Sequence, residues 1–268
     1  MNNFNHNHND YNYNINQQPT QGNNPNGIFN DSPNNNSFIN RVAQGDYAFA
    51  KYIAQTYLWM FLGLAITFGL SFYLTLNSNS VESFILSNYS MYLTATIISL
   101  VSVIAVGFFF RFFSPTVAKI VFILYSADLG VILTPMLLAY EFGSVMIIFG
   151  VTSAIYLVLA IIGLTTKKDT TRLGFILSIS LIAVLIYSLI SIFFFRSALN
   201  QIVIDVLVLA IFIGFTVYDN SKLKSMYYST NHDQRSLAKS SIYGALQMYL
   251  DYINIFIRLL SLFGKRKN

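Results

Sequence analysis

From Tyr57 onward the chain alternates between apolar runs and short polar links. A membrane-spanning helix takes about 20 mostly apolar residues. Seven runs meet that template: 57–76, 89–110, 117–140, 144–164, 173–195, 202–218 and 241–263. The sixth is the shortest, and the seventh is polar along one side. Tight links predict one bundle of helices. The longest link, about residues 220–240, is polar and charged.

The seventh run carries the clearest internal pattern. Gly244, Gln247, Asp251, Asn254 and Arg258 follow one another at intervals of 3, 4, 3 and 4, which sets them on one stripe of an α-helix. Leu250, Ile253, Phe256, Ile257 and Leu260 occupy the other faces. In a membrane such a stripe faces protein or water and not lipid, so the seventh helix is expected at the centre of the bundle. The alternative is an amphipathic helix lying flat on the membrane. The stripe is narrow and its charges are single and of opposite sign, which favours a spanning helix.

Carboxylates inside hydrocarbon are expensive and tend to mark function. Asp251 lies twelve residues beyond Lys239, about 18 Å along a helix and near mid-bilayer. Asp219 ends the sixth run, three residues before Lys222, and Asp219-Asn220-Ser221 also suits a turn. The two acids meet the membrane from the same link, but at different depths. A longer sixth helix or a tilt is needed to bring them level. If they meet, two close carboxylates resist double ionisation and share a proton. Asp128, within the third run and seven residues before Pro135, is a further candidate for lining a pathway. Pro135 is expected to kink its helix and free a carbonyl. Gly143 and Gly150, seven apart, predict a close helix contact.

Residues 1 to about 45 form a separate segment. Asn supplies 16 of the first 40 residues. Such a tract has too little apolar surface to offset the entropy of ordering, so it is expected to be a disordered tail. His6 and His8 belong to this polar bias. The remainder, 46–268, is the seven-helix domain.

Composition agrees with the pattern. The chain of 268 residues is 54% hydrophobic and only 10% charged, against about 25% charged in soluble domains. Cysteine is absent, which excludes thiol chemistry and disulfides. The net charge of +5 does not point to nucleic acid, because the basic residues lie between apolar spans. Eleven of them (Arg41, Lys51, Arg111, Lys119, Lys167, Lys168, Arg172, Lys222, Lys224, Arg235 and Lys239) fall on one side and Arg196 alone on the other. By the positive-inside rule the N-terminus is cytoplasmic in the plasma membrane. Seven spans then put the C-terminus outside, against the tendency of Lys265-Arg266-Lys267; a re-entrant seventh segment is the alternative.

Certain segments, in their order and spacing, resemble the Bax inhibitor-1 (transmembrane Bax-inhibitor-motif) family: Thr56-Tyr57-Leu58-Trp59-Met60, Leu133-Thr134-Pro135, Thr165-Thr166-Lys167-Lys168-Asp169, Tyr218-Asp219 and Tyr249-Leu250-Asp251-Tyr252-Ile253-Asn254. The resemblance covers about residues 47–264. It implies an all-α bundle of seven transmembrane helices with the last surrounded by three helix pairs. It further implies a pH-sensitive Ca2+ leak gated by an aspartyl pair, Asp219 and Asp251, which would hold the cation weakly and transiently, with Arg111 as the pair's latch. Asp128, Gln247, Asn254 and Arg258 are candidate pathway-lining residues. No cofactor is expected; Ca2+ is the expected permeant ion, and the partners are lipid, cations and protons. The chain departs from the family pattern where an outer acid and arginine stand, here Leu100 and Ser261, so that latch is expected to be absent, with Asp128 or Glu141 as alternative acids for Arg258.

Two other functions stay open. One is a non-transporting regulator of a membrane protease or stress partner. The other is an intramembrane aspartyl protease, against which Met248-Tyr249-Leu250-Asp251 lacks the Gly-x-Gly-Asp of that class. The chain is therefore not expected to be an enzyme.

Overall fold

A computed structural model describes residues 33–76, 83, 87–88, 90, 94, 112–194, 197–230 and 233–267. Its helices are α1 (Pro33–Leu76), α2 (Pro115–Ala139), α3 (Phe142–Thr165), α4 (Thr171–Phe194), α5 (Ala198–Ser229) and α6 (Gln234–Phe263). The chain divides into Met1–Gln44 and Gly45–Asn268. Of the first unit, residues 33–44 are described, as the opening turns of α1. Apart from Ser90 and Thr94, the expected second span, 89–110, lies outside the described residues, as does Arg111. All six helices are long and apolar enough to cross a membrane. Even the 24 residues of α3 extend about 36 Å, beyond the roughly 30 Å of a hydrocarbon core.

Local chemistry sets the helix ends. Ser114 accepts the Val117 amide at 3.3 Å with Pro115 in the first turn, and Ser197 accepts that of Asn200 at 3.1 Å. Asp233 accepts that of Ser236 at 2.9 Å. These are N-caps, which satisfy amides that the first turn leaves open. Hydroxyls inside the spans bond back to their own helix, as Ser126 does to the Phe122 carbonyl and Thr152 to that of Ile148. The exterior is apolar: Phe61, Ile147, Leu157, Phe175 and Leu189 are all exposed, a surface suited to lipid and far too apolar for water.

Two local expectations are corrected, and one alternative falls away. The stretch after Tyr218 is not a long link: α5 runs on to Ser229 and α6 starts at Gln234. Leu223 and Tyr227 are buried on one face of that extension, and this packing outweighs the polar composition. Among the described residues Gly143 and Gly150 meet nothing and make no close contact. In α3 that part falls to Gly163, where an added Cβ would stand 2.6 Å from the Val217 carbonyl oxygen and 2.7 Å from Asn220 Cβ. The seventh segment does not turn back; it is one unbroken helix of 30 residues.

α6 is the most enclosed of the described helices. Of its apolar stretch 56% is buried, against 39% or less in the others. Thr67 of α1 meets the Tyr249 hydroxyl at 2.6 Å, Phe122 of α2 packs edge-on against the Tyr249 ring, and Ser153 of α3 meets the Tyr252 hydroxyl at 2.7 Å. At its far end Gly264 packs on Tyr140, where a Cβ would clash. The tail then pairs with the α2–α3 turn: Glu141 N–H donates to the Lys265 carbonyl at 2.8 Å, and Lys265 Nζ lies 2.8 Å from Glu141 Oε1. The C-terminus thus shares an end of the bundle with that turn, and part of its basic charge is matched there.

Candidate functional site

The antiparallel pair α5 and α6 carries two charged centres. At the first, Asp219 of α5 and Asp251 of α6 are both buried, near enough for each carboxyl to act on the other. The longer α5 is what brings them level: Asp219 sits ten residues inside the helix end and not in a turn. Asp219 Oδ1 and Asp251 Oδ2 are buried and meet no donor among the described residues. Lys222, one turn on, is the cation acting on Asp219; its Nζ lies 5.4 Å from the centre of the Tyr218 ring. Two carboxyls so placed need a shared proton or a cation between them.

The neighbours of this pair are fully wired. Asn220, completely buried, accepts from the Tyr57 hydroxyl of α1. It donates to the Thr216 carbonyl at 2.7 Å and to the Tyr156 hydroxyl of α3 at 3.5 Å. Tyr156 lies within electrostatic range of both carboxyls. Helices α1, α3, α5 and α6 therefore converge here.

The second centre lies about 21 Å from Asp219 along α5, fourteen residues at 1.5 Å each. Asp205 is buried. Its Oδ1 accepts from Arg258 Nη1 at 2.7 Å and from Gln201 Nε2 at 3.1 Å, and its Oδ2 accepts from Ser261 Oγ at 2.6 Å. This corrects the expectation for Arg258, whose acid is neither Asp128 nor Glu141. Glu141 is taken by Lys265. Asp128 stands half-buried on α2, near Tyr125 and Tyr249. Geometry decides the choice: antiparallel α5 and α6 bring residue 205 level with residues 258 and 261.

The family model described as "Inhibitor of apoptosis-promoting Bax1" matches residues 49–268. The chain belongs to the Bax inhibitor-1 family. Similar members include the inner membrane protein YbhL of Escherichia coli (strain K12), 35% identical over 227 residues, covering 84% of this chain and 96% of that protein. An uncharacterized protein of Borreliella burgdorferi is 32% identical over 218 residues, 81% of this chain and 93% of its own. An uncharacterized membrane protein of Streptococcus pyogenes serotype M1 is 32% identical over 226 residues, 83% and 96%. This Bax inhibitor-1 family member is a membrane protein, and its spanning helices imply a lipid bilayer around it.

In this family member the polar stripe of α6 is divided. Asp251 and Arg258 face acids of α5, Gly244 packs on Leu223 and Thr56, and Asn254 is half-buried and bonded to its own Leu250 carbonyl at 2.8 Å. Gln247 is also half-buried. Sequence reasoning missed Asp205, Asn220, Tyr156 and the part played by Tyr57. Asp205 was open to detection, being an acid three residues inside an apolar run. The others offered no signal, since buried Asn and Tyr become recognisable only through their partners.

Proposed function

We propose that the protein is a proton-gated cation leak of the cell membrane, with Asp219 and Asp251 as its gate and Ca2+ as the permeant ion. The observation that supports this reading is a pair of buried carboxyls on neighbouring helices, each acting on the other and each with an oxygen that meets no donor among the described residues. Protonated, the pair holds α5 to α6 by a hydrogen bond. Deprotonated, it attracts a cation and its charges push the helices apart. A resident Ca2+ site takes about six to eight oxygens; two carboxyls supply fewer, which suits transit. In this reading α6 is the centre of a seven-helix bundle, Arg111 is the cation that latches the deprotonated pair, and Gln247 and Asn254 line the route. The Lys and Arg distribution supports a cytoplasmic N-terminus.

The test is Ca2+ flux into liposomes holding the purified full-length chain, measured across pH. Asp251→Asn removes the shared proton, so flux is expected to lose its pH dependence. A variant that keeps the wild-type pH profile refutes the gate.

A further inference from the structure

A basic cavity lies apart from the Asp219–Asp251 pair. It has a volume of about 600 Å³ and lies where the α3–α4 loop meets the last turns of α5, in the size range of about 300–1,000 Å³ usual for small-molecule sites. Lys167 and Lys168 reach it from the loop, Lys222 and Lys224 from α5. Among the described residues the one acid lining it is Asp169. Thr171, through its side-chain hydroxyl first and then its amide at 2.9 Å, holds that carboxylate below the usual range and keeps it ionised. Among the described residues no lysine of the four is in an ion pair with it or with any other acid.

Topology alone does not account for this arrangement. The positive-inside tendency puts lysines on one side of the membrane but does not gather them around a hollow. Here residues some fifty positions apart converge, and the loop is tied down in place. Thr170 Oγ1 meets Ser221 Oγ at 2.6 Å, and Lys224 Nζ approaches the Thr166 carbonyl at 3.5 Å. Lys222 and Lys224 are half-buried. Four lysines against one carboxylate leave the concavity with a net positive charge that attracts a further anion. Basic pockets between spanning helices at the membrane face are suited to phosphate-bearing head groups.

We propose that this pocket binds a phosphate group, presented by an anionic phospholipid head group or by a soluble phosphate. Lysines act there as point charges on the phosphate oxygens, and Thr166 and Ser221 add polar lining.

The experiment uses the full-length chain in zwitterionic detergent. Retained lipid is counted by native mass spectrometry and thermal midpoints are taken during titration with phosphatidylglycerol, with phosphatidylcholine, and with inorganic phosphate. Two variants are compared with wild type. In the first, Lys167, Lys168, Lys222 and Lys224 are each changed to Gln; in the second, Lys265 and Arg266 at the opposite end of the bundle are changed to Gln. Saturable binding of phosphatidylglycerol is expected in wild type and in the second variant, and up to about 1,000-fold weaker in the first. If inorganic phosphate alone binds with the same lysine dependence, the site stands and its source is soluble. The proposal is overturned if the first variant binds both anions as wild type does, or if phosphatidylcholine is retained equally.

Discussion

Removal of Arg258 tests the second charged centre. In Arg258→Met a side chain of similar length loses its charge, and Asp205 keeps only the neutral donors Gln201 and Ser261. The Asp205 side chain is 2% exposed, so water cannot take the place of the guanidinium. Breaking a buried pair by deleting one partner costs about 3–5 kcal/mol. The two remaining hydrogen bonds put this case near the lower end, about 3 kcal/mol. At about 2–4 °C per kcal/mol for a domain of this size, the thermal midpoint falls by roughly 6–12 °C. The reverse change is milder. In Asp205→Leu the arginine is left behind, but its side chain is 27% exposed and can extend toward the membrane surface, so the expected loss is about 1–2 kcal/mol. The double variant, Asp205→Leu with Arg258→Met, is expected close to wild type, because an apolar pair often replaces a buried ion pair without loss. Arg258 Nε, buried and without an acceptor among the described residues, points the same way: the pair is not fully satisfied. The assay is thermal unfolding of the full-length chain in one detergent at one scan rate. If Arg258→Met melts within about 2 °C of wild type, or if the two single losses add in the double variant, the pair does not couple the helices as argued.

Other outcomes follow from single contacts. Gly163→Ala drives a methyl into the Val217 carbonyl and Asn220 Cβ, and overpacking against backbone is expected to lower stability by about 1–3 kcal/mol. Gly150→Ala meets open space and is expected to be neutral or stabilising by up to about 1 kcal/mol in the same melting assay. Tyr57→Phe leaves the Asn220 carbonyl oxygen without its donor, a loss of about 1–3 kcal/mol, read as a lower thermal midpoint. Asp233 is held below the usual carboxylate range by the Ser236 amide. Its folded-state value is depressed, so the cap is intact above the ordinary Asp value of about 3.9 and fades as pH falls through the lowered one. Hydrogen-exchange protection at the start of α6, corrected for intrinsic rates, should decline over that acid range in wild type and stay low throughout in Asp233→Ala.

Hydropathy alone determined that this is a membrane protein and where most of its spans lie. Runs of about 20 apolar residues admit few other structures, and α2, α3 and α4 begin and end within two residues of their expected bounds. It also singled out Asp219 and Asp251, because a charge in hydrocarbon stands out in a linear pattern. Periodicity could not show which faces meet. Gly143 and Gly150 have the spacing of a packing stripe yet face outward, while Gly163 packs against α5, because small residues say only that close approach is allowed. The polar end of α5 was helical for a reason invisible locally: Leu223 and Tyr227 find a core to enter. The partner of Arg258 was likewise a tertiary matter. Opposite charges attract over any sequence distance, so Asp128, Glu141 and Asp205 were all open to it. The antiparallel register of α5 and α6 put only Asp205 within 2.7 Å, and that same register brought Asp219 and Asp251 together.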